Sequence, residues 1–389
     1  MAPFTQSRRW SRGRVCRGGI WSGRAMREAL IRPSHISANV SSLQRAAGTP
    51  QSMLVVKGDG YGHGLLTAAK AGLEGGVTWL GTADIDEALA LRHAGIVAPV
   101  LAWLIGPDQD LSEAVTSRID LGVSSAAQLE QVVQAGEARR EPSHPISKST
   151  REWAGAVCRN LSGRPLSKQS ASTLRPGRVV VRGVFTHLSL KSAESDGAQL
   201  ARFDRFLELL ASHNLQPEVI HSGASVGSIR TPHQGDTLAR FGIAAYGYPM
   251  TPEHEPLGLR PAMRLSGQII LTKQLPAGHG VGYDLTYTTS SDTTMAVIPL
   301  GYADGIPRHA SSRGPVSIGG TRFTVAGRVS MDQISVDVGS HPVSVGDWAV
   351  LWGDPAEGYP SAAEWAEVAG TIPYEIVSLL GSRVPRVVQ

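Results

Sequence analysis

Cysteine is almost missing from this chain: 389 residues carry two, Cys16 and Cys158. That excludes a disulfide-stapled scaffold and a cysteine-built metal site. Long hydrophobic runs are missing too. No apolar stretch approaches the roughly 20 residues that a membrane-spanning helix needs, and the chain shows neither an internal repeat nor a low-complexity tract. With 41% hydrophobic and 18% charged residues, the composition is that of a globular protein.

Acidic residues are absent from positions 1–25, which hold six arginines, and nearly absent from positions 143–178, which hold seven Lys or Arg against one Glu. Each segment contributes +6 while the whole chain carries only +4, so the remainder sits near −8. The pI of about 9.2 therefore belongs to two short stretches, and neither a nucleic-acid partner nor a membrane association is expected. Both cysteines fall in the same two stretches. Residues 1–25 lack the apolar core of a secretory signal and read as a disordered or non-native extension; the expected compartment is the cytoplasm.

The length suits a barrel of roughly 250 residues plus a smaller second domain. Strand-like runs recur at residues 54–56, 78–81, 100–104, 119–123, 179–185 and 219–220, with a last one near Ile243. Helical patterns at 85–94, 126–135 and 198–210 lie between several of them. Strand–helix alternation on this scale implies a parallel sheet closed as a (β/α)8 TIM-type barrel, taken here as residues 26–255. After Pro252 the texture changes to strands separated by glycine-rich turns, as in GQIIL, MAVIPLGY and WAVLWG. Residues 256–389 are therefore expected to form a mostly antiparallel β-domain.

The segment VVKGDGYGHG, Val55 to Gly64, sets one lysine at the end of a short apolar strand and follows it with a glycine-rich turn. In α/β barrels that junction is where catalytic residues stand. The spacing from Lys57 through Tyr61, Gly62, His63 and Gly64 resembles the cofactor-lysine motif of the alanine racemases, pyridoxal-phosphate enzymes that interconvert L- and D-alanine. The likeness begins at Arg27 with REALIRPSHISANV, so Met26 is read as the true start, and it covers residues 27–141 and 179–389.

What the resemblance implies follows residue by residue. Lys57 carries pyridoxal 5'-phosphate and serves as one of two catalytic bases, which requires that its ammonium be desolvated enough to lose a proton. HSGASVG, His221 to Gly227, is similar to the phosphate segment, with Ser225 as the phosphate-binding serine and Ala224 where the family has asparagine. ARFGIAAYG matches the segment that sets Arg240 at the pyridine nitrogen, with Gly242 and Ile243 beside the cofactor. An arginine does not give up its proton, so the ring nitrogen stays unprotonated and side reactions are disfavoured. Tyr374, in TIPYEI, reaches the phosphate, and Tyr61 and His187 contact the cofactor or the Lys57 network. Racemisation needs a second acid/base on the opposite face of the α-carbon; Tyr283, in VGYDLTY, matches that tyrosine. Met331 and Asp332 match positions on the substrate side. No metal is implied. In this family the β-domain of one subunit covers the barrel mouth of the other, so a head-to-tail homodimer with Tyr283 supplied in trans is expected.

One region departs from the family. Where relatives carry a strand ending in a motif close to LKVDTGMGRxG, this chain reads HPISKSTREWAGAVCRN. Degenerate codons for residues 147–155, read two nucleotides later, can spell KVDTGMGR. A frameshift near His144 with a compensating shift before Val179 accounts for the basic composition and for Cys158. As written, the motif's lysine and its substrate-carboxylate arginine have no counterpart, and residues 143–178 are expected to be irregular, the barrel strand missing or makeshift.

The resulting reading is an enzyme, an alanine racemase supplying D-alanine for peptidoglycan. Two alternatives stand beside it: an inactive pyridoxal-phosphate-binding relic, and a related amino-acid racemase or decarboxylase. A decarboxylase gives no reason for Arg240, since it favours an acidic partner at the ring nitrogen.

Overall fold

The structure is a computed structural model and describes residues 25–139, 145–148 and 180–389. The N-terminal extension, both cysteines and nearly all of the aberrant 143–178 segment lie outside the described residues.

Eight parallel strands form one sheet: β2 (Gln51–Val55), β3 (Trp79–Thr82), β4 (Val100–Ala102), β5 (Asp120–Val123), β6 (Pro145–Lys148), β7 (Gly183–Phe185), β8 (Val219–His221) and β9 (Leu238–Phe241). Its order is β8-β7-β6-β5-β4-β3-β2-β9. The two ends meet where Thr237 N donates to Ile220 O at 2.8 Å and Arg240 N to Gly223 O at 3.3 Å, closing the barrel. Alternate residues face in and out, as the two-residue strand period requires. Met53, Trp79, Leu101, Phe185, Val219 and Leu238 fill the interior, while Leu54 and Leu80 pack outward with the helices.

One sequence alternative, a missing or a makeshift strand, resolves here to the short strand, and one expectation changes. The barrel strand in the aberrant region is present: β6 pairs with β5 and β7 over Pro145 to Lys148. Neighbours on both sides impose the extended state on a segment with no strand pattern of its own. The last strand is Leu238–Phe241, and Ile243–Tyr246 forms a 3-10 turn beyond it.

The second domain is a six-stranded sheet, order β16-β15-β18-β10-β1-β19, beside a three-stranded antiparallel sheet, β11-β14-β17. Its elements are β1 (Arg27–Ile31), β10 (Met263–Gln268), β11 (Leu271–Leu275), β12 (Gly280–Val281), β13 (Tyr287–Thr288), β14 (Thr293–Ile298), β15 (Pro315–Ile318), β16 (Thr321–Thr324), β17 (Ile334–Gly339), β18 (Trp348–Trp352) and β19 (Arg386–Val388). Strand β1, read from sequence as the opening of the barrel domain, pairs antiparallel with β10 and parallel with β19. The described residues thus pass through the second domain's sheet before entering the barrel. Trp352 and Trp365 anchor this domain's core edge to face, 5.9 Å between centroids, and the Trp365 indole donates to Pro315 O and Leu351 O. Two short helices precede β19, Ala362–Ala369 and Pro373–Ser378, the first opened by a Ser361/Glu364 capping box.

Candidate active site

Strand β2 delivers Lys57 to the C-terminal mouth of the barrel, and the next five residues form a left-handed turn. Gly58, Asp59, Gly60, Tyr61 and Gly62 have φ of 64°, 54°, 62°, 52° and 78°. Glycine accepts such angles freely, but for Asp59 and Tyr61 the left-handed region costs about 1–2 kcal/mol each. Side chains hold the turn against that strain. The Glu87 carboxylate accepts from Gly58 N at 2.7 Å, Asp59 N at 3.2 Å and Ala83 N at 2.9 Å, and Asp59 Oδ1 accepts from Leu65 N at 2.7 Å. At Gly62 space itself forbids a side chain, since a Cβ would stand 2.1 Å from Val377 O.

Lys57 stands exposed at the open mouth, yet desolvation by the cavity walls lowers its pKa, with the Glu87 carboxylate pulling the other way. The cavity, about 420 Å³, is lined by Lys57, Tyr61, His187, Ser225, Arg240, Gly242, Ile243 and Tyr374. Every barrel residue singled out from sequence, together with Tyr374, therefore meets in one place.

Arg240 comes from the end of β9 and is fully enclosed. Nη1 donates to His221 Nδ1 at 2.7 Å and His221 O at 2.8 Å; Nη2 donates to Thr186 O at 2.8 Å, Ser222 O at 3.1 Å and His187 Nδ1 at 3.4 Å. Among the described residues no carboxylate touches it. Burial lowers its pKa to about 10, opposed by the charge of Asp236, so the guanidinium remains charged at neutral pH. Because His221 Nδ1 accepts from a cation, that ring is neutral with its proton on Nε2, and burial followed by the Arg240 charge holds its pKa well below the ordinary range. Nε of Arg240 is the nitrogen left without a protein acceptor among the described residues.

Ser225 sits in the turn after β8, 7% exposed, its hydroxyl accepting from Gly242 N at 3.1 Å. Three tyrosines close one wall: Tyr61 lies 5.0 Å from Tyr246 and 6.1 Å from Tyr374, centroid to centroid. Burial raises the pKa of all three, so they are neutral phenols. The Tyr246 hydroxyl donates to Val55 O at 2.9 Å, fixing the end of β2.

Tyr283, Met331 and Asp332 do not line this cavity. Tyr283 is 69% and Met331 52% exposed on the β-domain, and Asp332 is paired with Arg383 at 2.7 Å. Sequence reasoning missed Trp103, Leu104, Met250 and His254, which also line the cavity. Trp103 had a visible signal, its place at the end of β4; Gly81 leaves room for its ring, which a Cβ would approach to 2.4 Å. Met250 and His254 follow the last barrel strand, Met250 just before and His254 within the proline-containing 3-10 turn Pro252–Leu257, which carries no such signal.

A closed parallel barrel with a lysine after one strand, an enclosed arginine in its sequence-last strand, and a β-domain appended defines a two-domain α/β-barrel enzyme. Residues 31–147 and 166–250 match the family model "Alanine racemase, N-terminal domain", and residues 262–388 match "Alanine racemase, C-terminal domain". The alanine racemase of Salinispora arenicola is 46% identical over 358 residues, covering 90% of this chain and 95% of that protein. That of Thermobifida fusca is 42% identical over 367 residues, covering 92% and 97%. Among solved structures, the alanine racemase from Streptomyces coelicolor A3(2) superposes with a TM-score of 0.87 at 40% identity, covering 93% of this chain and 98% of that one. The chain belongs to the alanine racemase family.

Proposed function

We propose that this enzyme interconverts L- and D-alanine with pyridoxal 5'-phosphate held in the Lys57 cavity. The observation that carries the reading is the meeting of Lys57, Arg240 and Ser225 around one 420 Å³ space. The donor set suits the group: a desolvated amine for its aldehyde, the Arg240 Nε–H for its ring nitrogen, and the Ser225 hydroxyl, neighbouring backbone N–H groups and the Tyr374 phenol for its phosphate. When bound, the cofactor supplies the electron sink that acidifies the α-carbon of an amino acid.

Each protein residue then has a task. Lys57 Nζ, its pKa lowered by desolvation, takes or returns a proton on one face of the substrate. Arg240 fixes the orientation of the ring and never protonates it, which limits the reaction to proton transfer. Tyr283, exposed on the β-domain, serves the opposite face from a second copy of the chain, with Met331 and Asp332 beside it. The functional unit in this reading is a head-to-tail homodimer acting in the cytoplasm, with D-alanine passing to peptidoglycan synthesis. The barrel unit spans 26–255 and the β-unit 256–389, strand β1 crossing between them. Mixing inactive Lys57→Ala and Tyr283→Phe chains tests the arrangement: racemase activity reappears if sites are shared between subunits, and stays absent if each chain is self-sufficient.

The relic reading draws on one observation, that the family match breaks between residues 147 and 166. The meeting of Lys57, Arg240 and Ser225 around one cavity favours the catalytic reading.

A further inference from the structure

Behind the turn that carries Ser225 lies a chain of polar groups that the reaction itself does not use. Both Asp236 oxygens accept from Ser222 N, at 2.9 and 3.0 Å; Oδ2 also accepts from Ser222 Oγ at 2.7 Å and from Gly223 N at 3.4 Å. The far side of Asp236 is braced by His233, whose Nδ1 lies 3.2 Å from Oδ1. The same ring reaches Asp204, on the helix Ala193–Ser212, through Nε2 at 2.7 Å.

The arrangement is closed in on most sides. The Asp236 side chain is 5% exposed and His233 11%, whereas Asp204 is 51% exposed. Phe203, fully buried, meets the His233 ring edge to face at 5.7 Å. Asp204 and Asp236 are the charged groups facing the ring, and Arg240 is the next charge beyond Asp236. Two carboxylates on opposite ring nitrogens favour the doubly protonated imidazolium, since both nitrogens must then donate.

What Asp236 holds is the backbone between two cavity groups. Ser222 O accepts from Arg240 Nη2, and Gly223 O accepts from Arg240 N. Ala224 and Ser225 follow directly, and both line the cavity. With alanine at position 224, the turn offers no amide side chain to an anion, so its affinity depends on backbone N–H groups and the Ser225 hydroxyl being held in place.

We propose that Asp236, braced by protonated His233, is a positioning residue for the anion-binding turn at Ser225, so that phosphate affinity depends on the His233 proton. Loss of that proton frees Asp236 to turn toward solvent and slackens the Ser222–Gly223 backbone. This rests on the reading of the cavity as a phosphate site. The two carboxylates, with burial opposing them, raise the His233 pKa to about 9, which sets the window in which the effect is expected.

The test is calorimetric binding of inorganic phosphate to the cofactor-free full chain between pH 8 and 10, where phosphate keeps one charge state. The unaltered chain should lose affinity as pH rises through about 9. Asp204→Asn removes an exposed carboxylate without disturbing the turn and should move that break down by about one pH unit. His233→Gln should remove the part of the break that the unaltered chain owes to His233, and Asp236→Asn should weaken binding roughly tenfold at every pH. Titration of Lys57 is common to all these chains and cancels in the comparison. A break unmoved by Asp204→Asn, with phosphate still bound, overturns the positioning role and leaves the cavity reading standing. Absence of phosphate binding by the unaltered chain at every pH overturns both.

Discussion

Arg386 Nε donates to the Gly62 carbonyl at 2.9 Å, tying the last strand of the chain to the turn that carries Lys57, 324 residues earlier. The remaining donors go to Gly381 O, Val384 O and Leu380 O at 2.7–2.8 Å. The guanidinium thereby joins the lysine turn to the segment that follows the Tyr374 helix. Arg386→Met removes one donor from each of four carbonyls, of which Gly381 O keeps Val384 N, and should cost about 2–4 kcal/mol of stability. The same change should lower kcat more than it raises KM, because Lys57 loses its fixed position. Denaturant unfolding and steady-state kinetics together check this.

Gly62 is the position where that junction tolerates no side chain. Gly62→Ala combines φ of 78° with a Cβ 2.1 Å from Val377 O, whereas Gly48→Ala, at φ 65° with nothing within 4 Å, carries conformational strain alone. The expected losses are more than about 3 kcal/mol at position 62 and about 1 kcal/mol at position 48. Thermal unfolding of the two variants side by side measures the difference.

Stability should have an acid limb and a base limb with separate origins. Burial lowers the His63 pKa to about 4, against backbone bonds from its Nδ1 to Tyr61 O and Gly60 O. A depressed folded-state value means the contribution is complete above the unfolded value of about 6.5 and is lost as pH falls toward the folded one, on the order of 2–3 kcal/mol. His233 has the opposite sign: raised to about 9, it stabilises fully below about 6.5, and that contribution fades as pH rises through the folded value. His63→Asn should flatten the acid limb and leave the base limb intact in urea titrations across pH.

The phosphate turn makes a paired prediction. Ser225→Ala removes a hydroxyl and should weaken pyridoxal 5'-phosphate binding about tenfold, while Ala224→Asn restores an amide and should tighten it by a similar factor. Cofactor titration monitored by absorbance reads both.

Lys57 was legible because its strand and its glycine-rich turn are both written locally, in LVV and GDGYGHG. The Ser225 and Arg240 segments were legible for the same reason. Strand β6 was not, because Pro145, Ser147 and Lys148 carry no strand signal and the extended state comes from pairing to Leu121–Val123 and Gly183–Phe185. Strand β1 belongs to the second domain only through partners more than 200 residues away, such as Leu30 opposite Arg264, a relationship that no local window contains. The break in the family match, residues 148–165, overlaps the stretch in which degenerate codons read two nucleotides later can spell KVDTGMGR. Restoring KVDTGMGR by correcting the frame should return a substrate-carboxylate arginine and raise turnover, which expression of the corrected gene beside the original measures.

In the proposed reaction Lys57 and a second base move the α-proton of alanine within this cavity. Incubating the cofactor-loaded protein with L-alanine in heavy water and analysing the product by chiral chromatography and mass spectrometry tests it directly. The expected result is D-alanine bearing deuterium at the α-carbon, abolished by Lys57→Ala. Cofactor bound at Lys57 with no exchange and no D-alanine would contradict the proposed reaction.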